Sequence, residues 1–338
     1  MKIVKIADKN KAELVDVPDP KAKDEFVVVK IHVTPMCTEY KAFKAGGVHQ
    51  SIGHEAAGEV VEVAQPGKVK VGDRVVVMPQ TPCGRCALCL AGEYIHCQHT
   101  LNLAQATGYK HGGGTYAQYI LKQDWLLVPI PDGVSYEHAG MACCGLGPTF
   151  GAMQAMELNS FDTVLITGMG PVGLGGVING VFRGARVIAV ESHPYRARLA
   201  KELGAETVID PNSENPLKQV LDLTGGAGVD KAVDCSGAAP AQRLMIDAAR
   251  RKGQVSFVGE AGDLTIKVSS DLIRKGLILR GIWHYNLADT PRIMEVIRKS
   301  GRLLDKQITH TFPMSQAQKA FELQVTGECG KVLLYPWK

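Results

Sequence analysis

The chain has 338 residues, 45% of them hydrophobic and 21% charged, with a formal net charge of +4. That length is long for one core and predicts two domains. The charge is small and unclustered, which argues against nucleic acid or a membrane surface as a partner.

The Lys-rich start, MKIVKIADKNK, has too short an apolar stretch for a signal peptide and reads as a first strand and turn. Nine cysteines without such a signal point to a reducing, cytoplasmic setting. There, thiols serve metals or cores rather than disulfides.

Short β-segments separated by Gly and Pro follow at residues 25–33, 58–63 and 73–78, and at 116–121 after three consecutive glycines. Such strands with frequent turn signals predict a β-rich, barrel-like domain. Residues 79–99 interrupt it with Cys83, Cys86, Cys89 and Cys97. The spacing brings four thiolates within reach of one tetrahedral zinc with no open position, which makes this a structural site. A disulfide-stapled loop or an iron–sulfur site are the competing readings. The reducing setting disfavours the first, and the spacing departs from common cluster runs. A helical stretch near residues 135–141 closes the region.

From about residue 162 strands alternate with helices. The strands are Thr163–Thr167, Arg186–Val190, 206–209, 229–235 and 254–259; the helices are 172–182, 193–203 and 240–251. This is a βαβ series, hence an α/β doubly wound parallel sheet. Residues 163–182 carry no charge and are long enough to cross a bilayer. Their glycines and proline fall in the order of a phosphate-binding turn, which a membrane helix explains badly. The last fifty or so residues, with 317–322 and 331–335, fit a helix and a final strand returning to the first domain.

Gly168, Gly170, Pro171, Val172 and Gly173 lie in a G-x-G-x-x-G between strand and helix, where a pyrophosphate meets the helix N-terminus. Glu191 follows at the distance expected of a ribose-binding carboxylate. It favours NAD over NADP. Arg196 beside it could instead serve a 2′-phosphate, or be a solvated residue near the adenine.

Cys37 after an apolar strand, His54 and a third ligand would make a zinc site with one position open. Glu55, beside His54, can act behind the ligands or among them. Taken singly these are core thiols and a loop histidine; the four-Cys lobe and the dinucleotide fingerprint favour the metal.

The sequences 53–58 (GHEAAG) and 71–75 (VGDRV), the cysteine lobe, residues 168–173 and 330–332 (GKV) occur in that order. Across essentially the whole chain they resemble the zinc-dependent medium-chain dehydrogenases, the alcohol and sorbitol dehydrogenase group. The resemblance implies a GroES-like catalytic domain over 1–148 and 286–338, and a Rossmann NAD-binding domain over 149–285. It implies two zincs per chain and reversible hydride transfer between NAD and a small-molecule alcohol or carbonyl, with zinc as Lewis acid. It also implies a homodimer or homotetramer. By position, Cys37, His54 and Cys144 match the catalytic ligands, with Cys143 as Cys144's near rival. The sorbitol-type pattern has a glutamate where this chain has Met141. Lys331 falls where the family often places a basic residue near the pyrophosphate.

The segment after Cys37 departs from the pattern. Ser or Thr is usual where Glu39 stands, Asp where Tyr40 stands and His where Ala42 stands. Glu39 is therefore expected to hydrogen-bond the substrate hydroxyl and accept its proton, directly or through Tyr40 or His49. The competing expectation pairs Glu39 with Lys41 or Lys44 and gives the proton to Thr38. Tyr109, His111, Trp283, His284 and Tyr285 complete a polar cleft suited to a polyol, sugar or cyclitol. The last three could equally form an aromatic cluster at a dimer contact. An NADPH-dependent carbonyl or enal reductase and an NAD-binding module without turnover are the alternatives from other classes.

Overall fold

The computed structural model describes residues 1–260 and 262–338. They divide into two compact units: Met1–Cys144 with Asn286–Gly301 and Ile308–Lys338, and Gly145–Tyr285 with Arg302–Gln307. The strands in chain order are β1 (Lys2–Asp8), β2 (Lys11–Asp16), β3 (Phe26–Pro35), β4 (Ala56–Glu62), β5 (Arg74–Val77), β6 (Tyr119–Gln123) and β7 (Leu127–Pro129). They continue as β8 (Thr163–Thr167), β9 (Arg186–Val190), β10 (Thr207–Ile209), β11 (Val229–Asp234), β12 (Ala249–Phe257), β13 (Ile278–Gly281), β14 (Ile308–Pro313) and β15 (Lys331–Tyr335).

In the first unit β1 and β2 form an antiparallel hairpin, and a second sheet runs β14-β15-β3-β4-β5-β7 with β6 also on β3. The long central strand β3 shows why. Its side chains alternate faces with period two: Val27, Val29 and Ile31 enter one apolar cluster, while Phe26 and Val28 enter another. A strand apolar on both faces needs cover on both. A third cluster packs the helix Ala317–Thr326 onto the sheet, where Phe321 stacks on Phe43 at 4.9 Å.

The second unit is a six-stranded sheet in the order β10-β9-β8-β11-β12-β13, parallel throughout. Counting from β8, this is the 3-2-1-4-5-6 order of a dinucleotide-binding fold. Its central strands β8 and β9 are buried runs rather than alternating ones. Residues 163–182 supply β8 and the helix Pro171–Phe182, and no helix of the described residues is long and apolar enough to cross a membrane.

Two local departures from the sequence reading have physical causes. The helix expected to reach residue 251 ends at Ala248. There the Arg250 guanidinium turns to the Asp230 carboxylate, 2.6 Å away, and Lys252 adopts a left-handed backbone. Beyond the expected helix and final strand, residues 308–313 form β14 parallel to β15, and 302–307, within the expected 286–338 span, group with the second unit.

Candidate active site

Both cysteine groups lie in the first unit. In the lobe, Cys86 Sγ is 3.5 Å from Cys89 Sγ and 3.9 Å from Cys97 Sγ, and Cys83 and Cys97 are 3.6 Å apart. A tetrahedron with metal–sulfur bonds of about 2.3 Å has edges of about 3.8 Å. The four sulfurs therefore fit zinc with no other ligand. The backbone N–H of Arg85 draws the Cys83 thiol down to about 6, while burial pushes Cys89 up to about 12.

The second group comes from three distant segments. Cys37 follows β3, His54 and Glu55 precede β4, and Cys144 ends the first of the unit's three chain segments. One ligand atom from each lies within 4.8 Å of all the others. Gly53 makes this turn possible: its φ is +88°, and a Cβ there would lie 2.4 Å from the Tyr116 ring. His54 Nε2 is 3.2 Å from Cys144 Sγ and 3.9 Å from a Glu55 oxygen. Cys143 turns away, its buried thiol on the Val77 carbonyl at 3.4 Å, and burial pushes its pKa up. Two thiols, an imidazole and a carboxyl, with one thiol held well down, fit a zinc site of mixed ligands. The hydrogen bond from Cys144 and the Lys331 ammonium favour the Cys37 thiolate, against its burial.

Around these ligands stand two charges. Glu39 Oε1 is 2.6 Å from His54 Nδ1. Its other oxygen accepts from the Tyr116 hydroxyl at 2.9 Å and from the Cys37 backbone N–H at 3.1 Å. Burial opposes its anion, but the His54 partner outweighs burial and holds Glu39 at about 2. Both Glu39 oxygens thus have partners, and its ion pair is with His54 rather than Lys41 or Lys44. Thr38 is exposed, and its hydroxyl caps nothing in the helix Glu39–Ala45. Lys331 is fully buried, with Nζ 2.7 Å from Glu55. Burial opposes its charge, yet Glu55 and Cys37 keep it protonated. Burial in turn pushes Glu55 up to about 8.

Sequence reasoning missed Tyr116 as the support of Glu39, since nothing in GGGTYAQYI signals that contact. Of the expected cleft residues, His49 bridges to Ile6 through its backbone, and Tyr109 packs against the Phe26–Val28 cluster. His111 Nδ1 is buried without a partner. In the second unit, His284 and Tyr285 are buried and stacked at 4.6 Å, whereas Trp283 is 48% exposed.

The glycine-rich turn belongs to the second unit. A Cβ on Gly173 would lie 1.9 Å from the Gly168 carbonyl, so only glycine lets this helix approach its strand. Gly170 begins the helix Pro171–Phe182 with no side-chain cap and with open space where its Cβ would be. An uncapped helix N-terminus with room before it fits a dinucleotide pyrophosphate. Glu191 accepts from the backbone N–H groups of Met169 (2.7 Å) and His193 (2.8 Å), beside that turn. Arg196 is half-buried with Nε unpaired.

Comparison with known proteins gives this geometry a family. Residues 23–132 match the alcohol dehydrogenase GroES-like domain, and 171–299 match the zinc-binding dehydrogenase domain. L-threonine 3-dehydrogenase from Pyrococcus horikoshii is 35% identical over 336 residues, 95% of this chain and 94% of that protein. D-arabitol-phosphate dehydrogenase from Enterococcus avium is 32% identical, over 95% and 92%. An alcohol dehydrogenase from Thermus sp. ATN1 shares the fold, with a TM-score of 0.89 over 99% of both chains at 24% identity. The chain belongs to the zinc-dependent medium-chain dehydrogenase/reductase family and is an oxidoreductase.

Proposed function

We propose that this protein transfers hydride between NAD and a secondary alcohol/carbonyl pair at a zinc held by Cys37, His54 and Cys144. Glu55 stands beside that set, and the lobe carries a second, structural zinc. The polyol, sugar or cyclitol class is the substrate this reading favours. One observation carries it: the mixed set Cys37, His54, Glu55 and Cys144 converges with its own support at Glu39 and Lys331. When bound, zinc supplies a Lewis acid to the substrate oxygen and nicotinamide supplies the hydride acceptor.

The chain's own residues prepare that chemistry. Glu39 takes the Nδ1 proton of His54 in a hydrogen bond, which leaves Nε2 free as a ligand and fixes the ring plane. Lys331 holds the Glu55 carboxyl. Both Glu39 oxygens already have partners, His54 on one and the Tyr116 hydroxyl and Cys37 N–H on the other. The exposed Thr38 hydroxyl beside Cys37 therefore relays the proton, accepting that of the alcohol as it releases its own to solvent. Glu191 offers carboxylate oxygens to a ribose 2′-hydroxyl, which favours NAD over NADP.

A homo-oligomer fits the free edge of the second unit's sheet, where Ile278 on β13 is 46% exposed. The test is NADH absorbance with zinc-replete protein, NAD or NADP, and a panel of polyols, sugars, cyclitols and simple alcohols. Oxidation of a secondary alcohol with NAD is expected. Silence across the panel, with two zincs and NADH bound, would remove the reading.

A further inference from the structure

We propose that the cavity beside His54 is an anion subsite, in which the Lys122 ammonium receives a carboxylate or phosphate carried by the hydroxylated substrate. This rests on the dehydrogenase reading above, because His54 is what joins the cavity to the reacting centre.

Lys122 stands where folding alone would put an apolar side chain. On β6 it pairs with Val27, and Ile120, two residues before it, pairs with Val29. Ile120, Val27 and Val29 all belong to one interior cluster, so period-two alternation turns Lys122 to the same face. Its relative exposure is only 5%. Lysine at such a position is rare unless paired, and an unpaired buried charge opposes folding. Among the described residues no carboxylate lies within ion-pairing distance of Lys122. Its Nζ donates to one group, the Gln80 carbonyl. Gln80 is itself unusual, a non-glycine residue at φ +66°, a conformation that tends to be kept at ligand-binding positions.

Both residues line a cavity of about 200 Å³. His54, Thr81 and Thr115 share its wall, and none of its lining residues is acidic. Glu39, the carboxylate that would have repelled an anion, is turned onto His54 Nδ1 instead. The site thus holds a cation without a counter-charge, hydroxyl groups around it, and a metal-ligand histidine at its edge. Burial alone draws Lys122 down to about 7, as expected of an amine whose anionic partner is missing. A neutral polyol would need only hydroxyl and carbonyl partners, which a buried amine is a costly way to supply.

The experiment measures calorimetric dissociation constants on zinc-loaded protein with NADH, using matched pairs. 3-Hydroxybutyrate is set against 2-butanol for the carboxylate arm, and glycerol 3-phosphate against glycerol for the phosphate arm. At least one anionic member is expected to bind about tenfold or more tightly than its neutral partner. Lys122→Met should bring that ratio close to one, and Lys122→Arg should restore part of it. Ratios near one in both arms of the unaltered protein overturn the proposal, as does a preference that survives Lys122→Met. If Lys122→Met does not fold, the matched pairs on the unaltered protein and on Lys122→Arg still decide it. NADH formation with NAD on the same pairs separates the two claims. Anion preference in binding with no turnover on any alcohol overturns the dehydrogenase reading and keeps the subsite; turnover without anion preference does the reverse.

Discussion

The two cysteine groups of the first unit use the same atoms for opposite ends. The lobe gathers four sulfurs from fifteen consecutive residues, and their hydrogen bonds run to backbone N–H groups and to one another. The Cys37 group gathers mixed ligands from positions 37, 54, 55 and 144 and surrounds them with Glu39, Tyr116 and Lys331. A closed set of identical ligands needs no further tuning because it has only to hold a shape. A mixed set must keep its histidine in one tautomer and its charges balanced, so it recruits neighbours that never touch the metal.

Five substitutions can break or sharpen this contrast. His54→Ala should have the largest effect on turnover. The loss of charge stabilisation, several kcal/mol, corresponds to about 10³-fold or more in kcat/KM. Tm should fall by less than in the lobe variant that follows, although Glu39 loses its buried partner; a fall as large as the lobe's would erase the contrast. Cys89→Ser should do the opposite first: one zinc per chain disappears and Tm falls by about 10 °C or more, because a structural zinc contributes folding energy directly. Calorimetry with metal analysis reads both.

Lys122 sharpens the contrast through pH. Its pKa falls from an ordinary 10.5 to about 7. Between those values the unfolded chain binds the proton that the folded chain releases, so stability rises with pH across that window. Lys122→Met should be more stable than the unaltered protein at pH 7, by about 4 kcal/mol for a shift of this size. That advantage should shrink as pH approaches 10.5. Parallel unfolding curves of the two proteins over the window would contradict it. A smaller effect belongs to Glu39→Gln, which keeps the shape and removes the charge behind His54. Zinc affinity of the mixed site or kcat should fall about 10- to 100-fold. Tyr116→Phe, which removes one hydrogen bond to Glu39, should fall in the same direction and by less.

The sequence made the lobe legible because its ligands are local: spacing alone puts four sulfurs around one point. The dinucleotide turn was legible for the same reason, with strand, glycines and helix contiguous. Cys37 and His54 were candidates by residue type and setting, but no local spacing joins them to a third ligand, and Cys144 was chosen over Cys143 only through resemblance to a family. The role of Glu39 was not legible, because it depends on where a seven-residue helix starts and on how Gly53 turns His54 toward it. Lys331 likewise lies 276 positions from Glu55, a contact made by β15 joining β3. Lys122 was hidden in an ordinary-looking strand. Its meaning appears only when β6 pairs with β3 and places an amine among valines and isoleucines.

Zinc per chain measured beside the initial rate of NADH formation, for the unaltered protein and Cys144→Ser, tests the division of labour most directly. The unaltered protein should carry two zincs and oxidise a secondary alcohol. Cys144→Ser should carry one, keep its Tm and form no NADH. Full turnover by Cys144→Ser with a single zinc would contradict the assignment of chemistry to the mixed site.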